Sequence, residues 1–219
     1  MIKLDEINPI GIGTYQLDLE NKEKTLQALE HSVRKGQKHI SYASKIPLLE
    51  TYEEMDRLVK KGKVRYLSAS NTSFKELKEI CENFNIVSFE GVYNLECKYY
   101  ENINLIDFCK NNNIKFVCYQ ALRRNNIAKM NYPFLTEMAS KYNKTQNQIL
   151  LNWIIKEKGL NTIIKTNTIK NIDSNLESLD FKLENEDIQI LNNFQDERFN
   201  SIDIDWKNQG GITIDKLAS

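Results

Sequence analysis

Histidine is nearly missing from this chain: His31 and His39 are the only two in 219 residues, which leaves imidazole chemistry two candidates at most. Net charge is missing as well. Thirty Lys and Arg balance thirty Asp and Glu, so no field draws the protein toward nucleic acid or an anionic membrane, and neither is expected as a partner. No apolar run approaches membrane-spanning length, and the opening MIKLDEINPI lacks the basic, apolar and small-residue plan of a signal peptide. A cytoplasmic location is therefore expected. Cys81, Cys97, Cys109 and Cys118 include no CxxC pair. They read as reduced structural thiols, and no metal centre is expected.

The strongest pattern lies in residues 47–71, PLLETYEEMDRLVKKGKVRYLSASN. Leu48, Met55, Leu58 and Val59 form one apolar stripe, while Glu53, Glu54, Asp56, Arg57, Lys60 and Lys61 cover the other face of an amphipathic helix. Lysines gather where cations favour the helix dipole, Gly62 suits the left-handed position past the end, and VRYLSAS then reads as a strand.

Other segments alternate in the same way. IGIGTYQL (10–17) predicts a strand with close backbone approach at its glycines. A helix follows over 22–35, then KHISYA as a second strand. Beyond residue 71 come a helix over 73–84 with Phe74, Leu77, Ile80 and Cys81 inward, a strand over 86–95, a helix over 101–110 and the strand IKFVCYQAL. Thr145 with Gln148 forms a capping box for a helix that turns Ile149, Leu150, Trp153 and Ile154 inward. A last strand over 162–167 and a closing helix over 184–194 complete the series.

These letters resemble the aldo-keto reductases, whose consensus for the central unit runs roughly ETYEAMEELVKEGKVRAIGVSN. Further matches are IGIGTY to GLGTW, KHISYA to RHIDTA, FEGVYNL to NQVEYNL, and IIKTNTIKNIDSNLESLDFKL to IPKTSNPERIKENLKALDFEL. The resemblance implies a (β/α) barrel binding NADPH or NADH. Thr14 and Tyr15 fall nearest the cofactor, Ser70, Asn71 and Glu90 at the nicotinamide carboxamide, and Tyr119 on the nicotinamide face. Lys165 and Thr166 match cofactor-phosphate residues, and Asn175 matches an adenine contact.

The departures are chemical. The family's catalytic aspartate position is Ser41 and its tyrosine position is Ile46. The segment carrying helix two, strand three, helix three and strand four has no counterpart, and with it go the catalytic lysine and histidine, so no catalytic residue is assigned. His39 reads as a core histidine beside Ser41. Tyr42 with Lys45 is the nearest substitute for a proton-donating pair. Glu90 replaces a glutamine; ionised, it only accepts, so it loses the donor half of a carboxamide contact. Arg123 and Arg124 follow strand seven, where a phosphate could be met. Asn171 replaces the arginine that clamps a 2′-phosphate and Ser174 the adenine-facing glutamate, so selectivity for the phosphorylated cofactor should weaken.

The expectation is a single domain over 1–219, a truncated TIM-barrel-like α/β fold of about six parallel strands with surrounding helices. The deletion junction falls near 44–47 and a C-terminal tail at about 196–219. At 219 residues the chain is short for a closed barrel of about 250. Either six strands close a narrower barrel, or uncovered strand edges favour a homodimer. The leading functional reading is a non-catalytic relative that binds a nicotinamide nucleotide or a partner. The alternatives are an NAD(P)H-dependent carbonyl reductase with substitute proton donors, and a different acid–base enzyme centred on Glu90 with help from Tyr93, Lys165 or Tyr42.

Overall fold

The computed structural model of the chain describes residues 48–164 and 169–195. Two compact units divide it, Met1–Phe89 and Glu90–Ser219.

In the first unit, helix α1 (Leu48–Lys60) carries the pattern read from the sequence, with an Asp56–Lys60 pair at 2.6 Å one turn apart. Gly62, at φ +67°, ends it. Its N–H reaches the carbonyl of Val59 at 2.8 Å, and that of Lys63 reaches Leu58 at 3.0 Å, the paired bonds of a Schellman turn. The stripe differs in one respect: its buried residue is Tyr52, whereas Leu58 is 39% exposed. Tyr52 lies four residues after Leu48, on the same face, and its hydroxyl finds a partner in the carbonyl of Ser68 at 2.8 Å. A large ring with a satisfied tip buries better than a smaller aliphatic side chain at the stripe's edge.

Strand β1 (Leu67–Ser70) is followed by α2 (Phe74–Asn83), which Ser73 and Glu76 start as a capping box. Leu77 and Ile80 are fully buried; Phe74 and Cys81, expected beside them, are half-buried. Strand β2 (Ile86–Val92) begins in this unit. The Ser68 hydroxyl bonds to Ser88, carbonyl at 3.0 Å and hydroxyl at 2.8 Å, so the polar pair between the strands is satisfied.

In the second unit the chain runs through α3 (Tyr99–Asn102), α4 (Leu105–Asn111), β3 (Lys115–Tyr119), α5 (Asn126–Lys129), α6 (Pro133–Lys141) and α7 (Gln146–Asn152). It continues through β4 (Asn161–Thr162), α8 (Ile169–Leu176) and α9 (Asn185–Asn193). The single helix expected over 101–110 is two, because Asn104 sits at φ 60°, a left-handed conformation that breaks the ladder and that asparagine tolerates. Thr145 and Gln148 form the expected capping box. A π-turn, Trp153–Glu157, extends α7, and Ile149, Leu150, Trp153 and Ile154 are wholly buried.

Lys98 closes the other end of the unit. Its Nζ donates to the carbonyls of Leu191, Asn192 and Phe194 at 2.8, 2.7 and 3.0 Å, placing a cation on the C-terminal carbonyls of α9. Burial, then the neighbouring Lys158, lowers its pKa to about 8, against a smaller upward pull from Glu101.

Sheet neighbours are β1 with β2, β2 with β3, and β3 with β4. The last pair is parallel, with Val117 opposite Asn161 and Cys118 opposite Thr162. These are four of the six expected strands; those of 10–17 and KHISYA lie outside the described residues. No helix among the described residues is long and apolar enough to cross a membrane.

Candidate functional site

Ser70 is the last residue of β1, and Asn71 follows it at φ 55°. That turn directs the Asn71 amide back along the strand, where Nδ2 donates to Ser70 Oγ at 3.1 Å. A hydroxyl that donates and accepts thus stands beside an amide that does the same, both half-buried. The next residue, Thr72, holds its Oγ1 buried without a hydrogen-bond partner. Ser73 then caps α2, so the turn between strand and helix is fixed at both ends.

The other expected contacts lie in the second unit. Glu90 is half-buried on β2, and Tyr119 is the half-buried last residue of β3, its carbonyl accepting from the N–H of Tyr93 at 3.4 Å. Asn175 is half-buried on α8, and its carbonyl accepts from the Ser178 hydroxyl at 2.6 Å. Of the sequence-predicted residues, Ser70 and Asn71 are therefore brought into contact, and the others stand on separate elements. Thr14, Tyr15, Ser41, Ile46, Lys165 and Thr166 lie outside the described residues, as do His39, Tyr42 and Lys45.

The model of the aldo/keto reductase family matches residues 41–196, well over half of the chain. The chain belongs to the aldo/keto reductase family. It is 28% identical over 158 residues to aldo-keto reductase family 1 member C18 of Rattus norvegicus, a match covering 68% of this chain and 49% of that protein. With the NADPH-dependent D-xylose reductase of Meyerozyma guilliermondii it shares 27% over 170 residues, covering 71% of this chain and 53% of the relative. The chain thus spans about half the length of the curated relatives it matches. Among solved structures, an aldo/keto reductase from Klebsiella pneumoniae in complex with NADP and acetate superposes with a TM-score of 0.66 at 21% identity, covering 83% of this chain and 67% of that one. At that identity the likeness is one of fold, the family's TIM-type barrel.

Two side chains weighed for site roles, Arg123 and Tyr93, have charged partners within the second unit. Arg123, read as a loop arginine for a phosphate, turns its guanidinium to Glu96, and the two side chains are only 12% and 1% exposed. Tyr132 donates to the same carboxylate at 2.7 Å. The acid's partners are 27 and 36 residues away, too far for any local pattern to announce them. Arg124 is exposed.

Tyr93, considered as an aid to acid–base chemistry, instead donates to Glu101 at 2.7 Å, and Lys158 donates to the other oxygen of that carboxylate at 2.6 Å. Burial and then the Glu101 charge push the Tyr93 phenol far above its ordinary value. Burial alone would raise Glu101, but Lys158, Tyr93 and Lys98 outweigh it and hold the carboxyl low. Tyr93 therefore holds its proton, and Glu101 stays ionised beside it. The cavity beside it measures about 60 Å³, well below the roughly 300–1,000 Å³ of ordinary ligand pockets. It does not fit a dinucleotide. One signal was present in the letters: Asn94 accepts from the N–H groups of Glu96 and Cys97, both at 2.9 Å, an Asx-type turn that shapes this loop.

Proposed function

We propose that this aldo/keto reductase relative binds a nicotinamide nucleotide without the family's usual proton-delivery residues. The observation that carries the reading is the Ser70–Asn71 pair, a hydroxyl and an amide held together at the C-terminal end of β1. Barrels of this class place their sites at those strand ends. The buried, unpartnered Thr72 hydroxyl beside the pair supports a polar group arriving there. When bound, the nucleotide would supply a hydride-bearing ring. Ser70 and Asn71 would hold its carboxamide.

On this reading turnover is not expected. Ser41 and Ile46 stand where the family has its aspartate and tyrosine, and neither replacement is a general acid. Such a group is worth about a hundred- to ten-thousandfold in rate. With a panel of simple aldehydes and ketones, the absorbance of NADPH is expected to stay flat while the nucleotide still raises the thermal midpoint. Steady oxidation of NADPH by any of these carbonyls would replace the binding-only reading with carbonyl reduction. The Asn171 substitution adds that NADH should stabilise the protein at least as well as NADPH.

A further inference from the structure

The second unit contains a buried acid that the proposed nucleotide site does not use. Glu96 is met from two directions: by Arg123 Nη1 at Oε2, from the loop after β3, and by the Tyr132 hydroxyl at Oε1, from the residue before α6. The backbone around it is pinned as well. Asn94 accepts from the Glu96 N–H at 2.9 Å, and its own amide donates to the carbonyl of Gln120 at 3.2 Å.

On the Arg123 side the backbone is strained. Gln120, Arg123, Arg124 and Asn125 all have positive φ, at 56°, 43°, 56° and 68°, and of these only asparagine adopts that region readily. Such a run persists where its surroundings hold it. Here the holding contacts include the Glu96 carboxylate on Arg123, and Asn147 on Asn125 at 2.7 Å. On the Tyr132 side, the ring meets Phe194 edge-on at 4.9 Å, and Phe194 also packs on Phe134 at 5.1 Å. The Phe194 carbonyl accepts from Lys98. One carboxylate therefore joins the strained loop to the point where the chain leaves α9.

We propose that Glu96 is a latch that couples loop 120–125 to Phe194. A buried carboxylate that loses its guanidinium must draw on another donor or take up water, and Tyr132 is the donor already in contact. Departure of Arg123 then shifts Tyr132 and loosens the end of α9; release of Phe194 relaxes the loop in return, because coupling between two sites is reciprocal. The proposal does not depend on the nucleotide site.

Hydrogen exchange on the full chain, read by mass spectrometry, tests it with two variants. Tyr132→Phe removes one hydroxyl and keeps the ring on Phe194; Arg123→Gln removes the charge. Coupling predicts that Tyr132→Phe speeds amide exchange in 120–125 about tenfold, and that Arg123→Gln does the same in 191–195. Acceleration confined to each variant's own side of Glu96 would overturn the latch. If Arg123→Gln loses its cooperative thermal transition, the conservative Tyr132→Phe decides alone, and unchanged exchange in 120–125 sinks the proposal.

Discussion

Gly91, in β2, has no side chain because two rings occupy the space. A Cβ built there would lie 2.7 Å from Tyr100 and 2.9 Å from Phe116, and both rings are buried, at 1% and 4% exposure. Buried rings have little room to retreat. Gly91→Ala should therefore destabilise the fold by about 1–3 kcal/mol, the usual range for overpacking. The change is read from the urea midpoint at constant slope, and an unchanged midpoint would mean that the rings move freely. The same scale separates the legible residues from the others. The Ser70–Asn71 contact, between neighbours in the chain, was local enough to be read from the letters. The role of Arg123 was not, because a side chain's partner depends on which distant residues the fold brings near, and Glu96 is such a residue.

At the scale of elements, signals that act within one turn of helix were the readable ones. Gly62 takes its left-handed position, and Thr145 with Gln148 caps α7, the two readings that rest on short-range backbone chemistry. Thr145→Ala removes an acceptor for the Gln148 N–H, at 3.2 Å, and leaves an amide of the first turn unsatisfied. A loss of about 1 kcal/mol is expected, with Thr145→Ser close to wild type in the same denaturant titration. Equal losses in both variants would assign the effect to the methyl group instead. Longer-range features were harder to see. The break at Asn104 leaves little trace in a sequence whose apolar spacing continues across it, and the capture of α9 by Lys98 spans more than ninety residues.

At the scale of the whole molecule, buried acids set the response to alkali. Burial pushes the thiols of Cys81 and Cys97 up to about 11 and that of Cys118 to about 12, from an ordinary 9.0. The folded chain then keeps protons that the unfolded chain gives up, so stability is full below about pH 9 and falls as pH rises toward 11. Tyr52, Tyr93 and Tyr100, also raised by burial, extend the fall above pH 10. Lys98 acts the other way between about 8 and 10.5, alone below pH 9 and against the three thiols above it. Urea midpoints measured from pH 9 to 11 should decline; a rising midpoint over that range would contradict the burial of these groups.

We propose that a family member spanning about half of its curated relatives still holds a nicotinamide nucleotide. A thermal unfolding scan, alone and with NADH or NADPH, tests it most directly, because a ligand that binds only the folded state must raise the midpoint. With either nucleotide at about a hundred times its dissociation constant, the expected rise is roughly 5–10 °C for a chain of this size. Asn71→Ala should reduce that rise without abolishing cooperative unfolding. A cooperative transition that neither nucleotide moves would contradict the account and leave the fold without its proposed ligand.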